Sequence, residues 1–338
     1  MVFVTGGTGF IGTYLLRELL QQGQNVRALK RYDSVIDLED HLANQIEWVV
    51  GDVLDISSLE EAMVGCEKVY HCAAMVSFLS RDRKAIIKVN AEGTENVVNA
   101  ALENKVKKFV HLSSVAALGR DTDSNLFTED AKWEDGINNS NYAISKHLAE
   151  REVWRGAAEG LKVVIVNPSM VIGSGNWNKS TPRLFLDTWK GLPAYTSGGV
   201  GIICAEDVSA LMFKLMESHI ENERFVLNAE NWKLKDFFFR ICRLLGKEPP
   251  RLNASYWITE IIWRIEALKS IFLDFPPLNS KETSRMASHD SFSDNSKILE
   301  ALPYRFKPVD SCIIEICQRF LQSITDAKVN HLSGKDFF

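Results

Sequence analysis

The run Thr5-Gly6-Gly7-Thr8-Gly9-Phe10-Ile11-Gly12 constrains this chain more than any other feature. It joins a short β-branched run, Val2–Thr5, to a stretch in which Ile11, Leu15, Leu16, Leu19 and Leu20 recur at helical spacing. Glycines in such a strand-to-helix turn let the backbone bend tightly and approach a pyrophosphate. The helix start then offers free N–H groups and the positive end of its dipole to the phosphates. A glycine pattern alone is weak; its place between a predicted strand and a predicted amphipathic helix marks a dinucleotide site. Gly6, Gly9, Phe10, Ile11 and Gly12 are its candidate contacts.

The rest of the first half repeats this alternation. Val26–Lys30, 46–50, Lys68–His71, 109–112 and 163–166 read as strands with helices between them. Ser58-Leu-Glu-Glu61 reads as a capping box opening one of those helices. Regular strand–helix alternation predicts an α/β fold: a Rossmann-type, doubly wound parallel sheet covered on both faces. Beyond Gly173 the pattern changes. Residues 176–201 are rich in Gly, Ser, Thr, Pro and Trp and lack clean periodicity. Helical patterns return at 209–218, 234–245 and 256–272, and 224–227 reads as a late strand. The expected organisation is a dinucleotide-binding domain over 1–173 with returns near 202–228. A smaller, mainly helical substrate-binding cap would be interleaved over 174–325, followed by a loose tail at 326–338.

Bulk composition narrows the partners. The 338 residues carry a net charge of −5, which gives no basic face for nucleic acid. No basic leader precedes the first strand, and no stretch is long and uncharged enough to span a bilayer. The nearest candidate, 256–275, carries Glu260, Arg264, Glu266, Lys269 and Asp274. It reads as core first, a homodimer surface second and a membrane contact third. The six cysteines are scattered and form no CxxC pair, which points to a reduced, cytoplasmic compartment. The seven histidines form no HxxxH or HxH cluster, so no metal site is expected; His71 and His111 read as core residues. The aromatic residues Phe185, Trp189, Tyr195, Trp257, Trp263 and Phe272 read mainly as cap core.

The end of the second strand speaks to the choice of dinucleotide. A carboxylate commonly sits there to hold the ribose hydroxyls of NAD. This chain has Arg27-Ala-Leu-Lys30-Arg31 instead, which suits a 2′-phosphate and so NADP, with Arg31 ahead of Lys30. Asp33 lies close enough to keep NAD as the alternative.

Taken in order, these motifs resemble the extended short-chain dehydrogenase/reductases, the group that includes nucleotide-sugar epimerases, dihydroflavonol reductases and 3β-hydroxysteroid dehydrogenases. The glycine turn is similar to the family's TGGxGxxG. Gly51-Asp52-Val53 resembles its adenine-side element, and His71-Cys72-Ala73-Ala74 the strand end beneath the cofactor. Asn90 with Gly93 and Thr94 resembles the N-x-x-G-T helix start. Leu112-Ser113-Ser114 with Gly119 resembles the catalytic serine segment, and Tyr142-Ala-Ile-Ser-Lys146 matches YxxxK. Asn167-Pro168-Ser169-Met170-Val171-Ile172-Gly173 resembles the strand closing over the nicotinamide, and Ile203-Cys204-Ala205-Glu206-Asp207-Val208 a later V-x-D-V segment.

The resemblance implies Ser114, Tyr142 and Lys146 as catalytic residues, with Ser113 competing for the serine role. Ser114 is preferred because it lies five residues before Gly119. Tyr142 and Lys146, four apart, share one helix face. A free tyrosine, with pKa near ~10, exchanges protons poorly at neutral pH, and a neighbouring ammonium makes it more able. Further implied cofactor contacts are Asp52, Val53, Cys72, Ala73, Ala74, Asn90, Pro168 and Val171, with Tyr142 and Lys146 on the nicotinamide side. Asn90 is read as a cofactor or structural residue or as a helix cap. Ser77, Phe78, Ser169 and Met170 follow cofactor-proximal strands and are the candidates to touch a small-molecule substrate. The expected activity is reduction of a carbonyl, or oxidation of a secondary alcohol, by hydride transfer. A nucleotide-sugar epimerase with tightly held NAD is the second reading, and a non-catalytic NADP-binding regulator the third.

Overall fold

The computed structural model describes residues 1–119, 126–134, 136, 139–253 and 290–332. In chain order it forms β1 (Val2–Thr5), α1 (Phe10–Gln21), β2 (Val26–Lys30), α2 (Asp40–Ala43), β3 (Glu47–Val50), α3 (Ile56–Met63), β4 (Lys68–His71), α4 (Arg83–Ile87), α5 (Gly93–Glu103), β5 (Lys108–Leu112), β6 (Leu126–Phe127), α6 (Asn141–Ala158) and β7 (Val163–Pro168). There follow β8 (Met170–Ile172), α7 (Pro182–Lys190), β9 (Ala194–Tyr195), β10 (Gly199–Cys204), α8 (Ala205–Glu217), β11 (Glu223–Leu227), β12 (Glu230–Lys233), α9 (Leu234–Leu244), β13 (Leu252–Asn253), β14 (Phe292–Ser293), α10 (Ser296–Ala301) and α11 (Val309–Leu332). These elements divide into two compact units. The first is Met1–Ser169 with Ala205–Asn228 and Phe292–Tyr304; the second is Met170–Cys204, Ala229–Ser291 and Arg305–Phe338.

The first unit is built on a seven-stranded sheet in the order β11-β7-β5-β4-β1-β2-β3, parallel throughout. β5 and β7 are buried along their whole length, as strands covered on both faces must be. On one face Phe3, Val69, Phe109 and Ile165 pack with Leu59, Met63, Val97, Val98 and Val153 from α3, α5 and α6. Val2 and Val4 alternate away from Phe3 and are also buried; α1 and α8, packed on each other, cover that side. The chain winds outward from β1 to β3, then returns to β4 on the opposite side of β1. Connections leaving β1 and β4 therefore diverge, and a crevice opens beyond their carboxyl ends.

The second unit holds a three-stranded sheet, β12-β10-β8, in which β10 runs antiparallel to β12 and parallel to β8. Its core gathers Ile172, Phe185, Ile202, Phe237, Ile241, Ile313 and Phe320.

Four details differ from the sequence expectation. The cap of α3 is Asp55, whose carboxylate accepts the Ser58 N–H at 3.4 Å; Ser58 Oγ donates to the Asp55 carbonyl instead. The 176–201 stretch contains α7, which starts on Pro182 and turns Phe185 onto Phe237; the turn-forming residues on each side hide its short period. The first unit also takes back β14 and α10. Residues 326–332 continue α11 rather than forming a loose tail, since no Gly or Pro interrupts the chain before Gly334. The segment 256–275, with Trp257, Trp263 and Phe272, lies outside the described residues. Among the described residues no helix is long and apolar enough to cross a membrane.

Phe109, fully buried between the sheet and α5, is a sensitive probe of this core. Phe109→Ala should lower unfolding free energy by about 3–5 kcal/mol in urea titration. Val50→Ala, at the exposed sheet edge, should change it by under about 0.5 kcal/mol.

Candidate active site

The glycine turn lies over the crevice between β1 and β4. Gly6 has a positive φ of +72°, and a Cβ there would strike the backbone of Cys72 and Ala73 just past β4. A Cβ on Gly12 would run into the Gly6 carbonyl. Both positions therefore demand glycine for space, and Gly6 for conformation as well. Gly9 is the N-cap of α1, its N–H donates to Gly6 O at 2.9 Å, and no side chain caps the helix. The first-turn amides at Phe10, Ile11 and Gly12, with the helix dipole, make an anion-binding end. The cradle fits the pyrophosphate of a dinucleotide.

Other members of the expected cofactor set are placed as follows. Lys30 ends β2 half-buried. Arg31 is 69% exposed and meets Asp33, 81% exposed, at only 3.8 Å. An ion pair that open holds the guanidinium weakly. Asp52 follows β3 and accepts the Leu54 N–H at 2.9 Å. Val53 is buried against Gly93, where a Cβ would come within 2.9 Å of its Cγ2. Cys72 donates its N–H to Thr5 O at 3.1 Å, and Ala73 and Ala74 follow it. Pro168 closes β7 within the first unit, whereas Met170 and Val171 belong to β8 of the second.

The YxxxK pair is set by α6. Ser140 caps this helix, its Oγ accepting the Ala143 N–H at 2.9 Å, which places Tyr142 in the first turn and Lys146 one turn later. Lys146 is 2% exposed and donates from Nζ to Leu112 O at 2.8 Å. Burial pulls its pKa down to about 8, against the opposing pull of Glu150 and Cys72. Burial pushes the Tyr142 phenol above its usual value, and a hydrogen bond with Ser114 works in the other direction. The protein alone thus holds a protonated phenol one helical turn from the buried Lys146.

The two neighbouring serines have different partners. Ser114 pairs with Tyr142 and also accepts the Ala116 N–H at 3.2 Å. Ser113 donates to Glu150 Oε1 at 2.5 Å, away from the phenol. Phe78 meets the Tyr142 ring edge-on at 5.6 Å between centroids. Ser77 instead donates to Asp82 at 2.6 Å, and Ser169 is buried with its hydroxyl on Asn228 at 2.9 Å.

Asn90 sits in a π-helical turn, Lys88–Glu92, within a continuous helical run, so it caps no helix. Its amide accepts the Met75 N–H at 2.7 Å and donates to the Met75 carbonyl and to Ser145 Oγ, each at 2.9 Å. This double clasp fixes the segment that carries Phe78. His71, fully buried, bridges Thr5 (2.7 Å) and Thr94 (2.9 Å) and stacks on His111 at 5.1 Å. Burial, helped by the Lys146 charge, pushes its pKa down to about 3, so it is a neutral strut. Sequence reasoning alone did not single out Glu150 and Asn167 as site residues. The available signal for Glu150 was its i+4 spacing from Lys146, on the face that Tyr142 shares.

Comparison with known proteins places the chain in a family. The model of the NAD dependent epimerase/dehydratase family matches residues 2–190. A Synechocystis sp. protein provisionally named a dihydroflavonol 4-reductase is 32% identical over 311 residues, which are 89% of this chain and 88% of that one. The crystal structure of gox2253 superposes with a TM-score of 0.80 at 30% identity, covering 96% of this chain and 98% of that one. The UDP-glucose 4-epimerase of Thermus thermophilus, solved with NAD, shares the fold with a TM-score of 0.74 at 21% identity, over 94% and 98% of the two chains.

Asn90→Ala would leave both Met75 backbone groups without a partner. It should cost roughly 1–3 kcal/mol of unfolding free energy in urea titration, with increased amide exchange confined to the loop after β4.

Proposed function

Because the chain belongs to the NAD dependent epimerase/dehydratase family, in its NAD(P)-dependent extended short-chain dehydrogenase/reductase branch, we propose that it is an NADP(H)-dependent reductase of a small carbonyl compound, reversible as a secondary alcohol dehydrogenase. The observation that carries this reading is the placing of Tyr142 and the buried Lys146 one turn apart on α6, with Lys146 gripping the carbonyl of Leu112 at the end of β5, two residues before Ser114. When bound, the nucleotide supplies or accepts a hydride. Ser114 hydrogen-bonds the substrate oxygen and fixes its position. Tyr142, protonated in the resting protein, gives its proton to that oxygen as negative charge develops there. Lys146 stabilises the phenolate left behind and holds the nicotinamide ribose.

The remaining residues hold the nucleotide. The turn from Gly6 to Gly12, with Phe10 and Ile11, takes the pyrophosphate, and Asp52 and Val53 take the adenine side. Cys72, Ala73, Ala74, Asn90, Pro168 and Val171 are assigned to the nicotinamide half. Arg31 and then Lys30 would meet a 2′-phosphate, which favours NADP over NAD. The edge-on contact of Phe78 with Tyr142 puts an apolar wall beside the reacting oxygen. A reductase name on the Synechocystis relative supports reduction over epimerisation.

NADPH should bind more tightly than NADH. Arg31→Ala should weaken NADPH by roughly 10- to 100-fold in fluorescence titration, the scale of one charge-assisted hydrogen bond, and leave NADH nearly unchanged. Tyr142→Phe should lower kcat for carbonyl reduction by about 10²- to 10⁴-fold with NADPH affinity retained. For the wild type, kcat/KM in the reductive direction should fall as pH rises through about 8, where free Lys146 loses its charge. Purification with NAD already bound, and interconversion of nucleotide sugars without net cofactor use, would replace the reductase reading with the epimerase one.

A further inference from the structure

Three consecutive residues of the segment that carries the serine are each held by a separate side chain. Lys146 Nζ grips the Leu112 carbonyl at 2.8 Å. Ser113 Oγ donates to Glu150 Oε1 at 2.5 Å. The Ser114 carbonyl accepts from Asn167 Nδ2 at 2.9 Å, and the same amide donates to Glu150 Oε1 at 2.5 Å. Two of the three restraints therefore converge on one carboxylate oxygen. The other oxygen faces Arg224 Nη1 at 3.4 Å. Glu150 is 2% exposed, one helical turn beyond Lys146 and two beyond Tyr142.

A carboxylate this buried is costly unless it is fully hydrogen-bonded. A neutral glutamine of the same shape would avoid most of that cost while still accepting from Ser113. The retained charge pairs with Arg224 on one oxygen, and it also lies one helical turn from the equally buried Lys146. We propose that Glu150 is a positioning residue of the active site, fixing the Ser113–Ser114 backbone through its hydrogen bonds with Ser113 and Asn167. The proposal rests on the reductase reading for its kinetic consequences, but its structural half is independent of turnover.

Among the described residues, the charged and titratable groups around Lys146 are Tyr142 and Glu150 on its own helix, Cys72 past β4, and His71 and His111 on β4 and β5. Both histidines are held neutral by burial, and burial pushes the Cys72 thiol up to about 12. Among the described residues Glu150 is thus the carboxylate whose charge opposes the lowering of the Lys146 pKa by burial. Removing it should let Lys146 deprotonate at lower pH.

Two substitutions separate the roles. Glu150→Gln keeps an acceptor for Ser113 but removes the charge; the alkaline limb of kcat/KM for NADPH-driven carbonyl reduction should move down by about one pH unit. Glu150→Ala removes both roles. It should lower kcat/KM by roughly 10- to 100-fold at every pH through misplacement of Ser114, and raise amide exchange across residues 112–118 while leaving β1 protected. Superimposed pH profiles for Glu150→Gln, or unchanged exchange at 112–118 in Glu150→Ala, would overturn the assignment. If the wild-type protein reduces no carbonyl compound, the reductase reading fails. The exchange comparison, with the pH dependence of NADPH binding in wild type and Glu150→Gln, still decides the role of Glu150.

Discussion

The close approach of Gly6 to the backbone of Cys72 and Ala73 is the contact on which the site depends. β1 and β4 are neighbours in a parallel sheet, so their carboxyl ends emerge side by side, and the turn into α1 must pass directly over the end of β4. A side chain at Gly6 would push the turn outward and carry the α1 N-terminus away from the crevice. Thr5 and His71 are register partners in that ladder, so their side chains meet, and His71 reaches on to Thr94 in α5. One neutral, buried imidazole ties two strands and a helix together beneath the turn. Its burial is tolerable because both ring nitrogens have hydroxyl partners.

The same economy governs the polar groups of α6. Tyr142, Lys146 and Glu150 follow one another at four-residue intervals, so the helix presents all three along one face. Each lies against the strand ends, where water is scarce and charge is costly. Lys146 answers this with a carbonyl at the end of β5, and Glu150 with a serine and an asparagine from two other segments. The low-dielectric setting that lowers the Lys146 pKa would, on the proposed function, also strengthen its pull on a developing phenolate.

Legibility varied with the range of the interactions. The glycine turn, the YxxxK pair and the strand–helix alternation are local patterns, and each sits where the sequence places it. The α3 cap moved three residues to Asp55 because Ser, Asp and Glu near a helix start all offer capping oxygens, and only backbone geometry chooses among them. α7 went unseen because its short period is buried among turn-forming residues. Asn90 could be read as a cap, since asparagine favours such positions. Its actual task, clasping Met75 fifteen residues away, depends on a π-helical turn that no residue type signals.

By itself the sequence determined the parallel α/β fold, the location of the dinucleotide turn and the helix face shared by Tyr142 and Lys146. These follow from contacts within a few residues, where periodicity and glycine placement leave little freedom. Only the tertiary structure decided that Ser113 engages Glu150. It alone brought Asn167 and Arg224 to that carboxylate. Such partners lie far apart in the chain and carry no shared period, and they meet only because adjacent parallel strands end at the same level of the sheet.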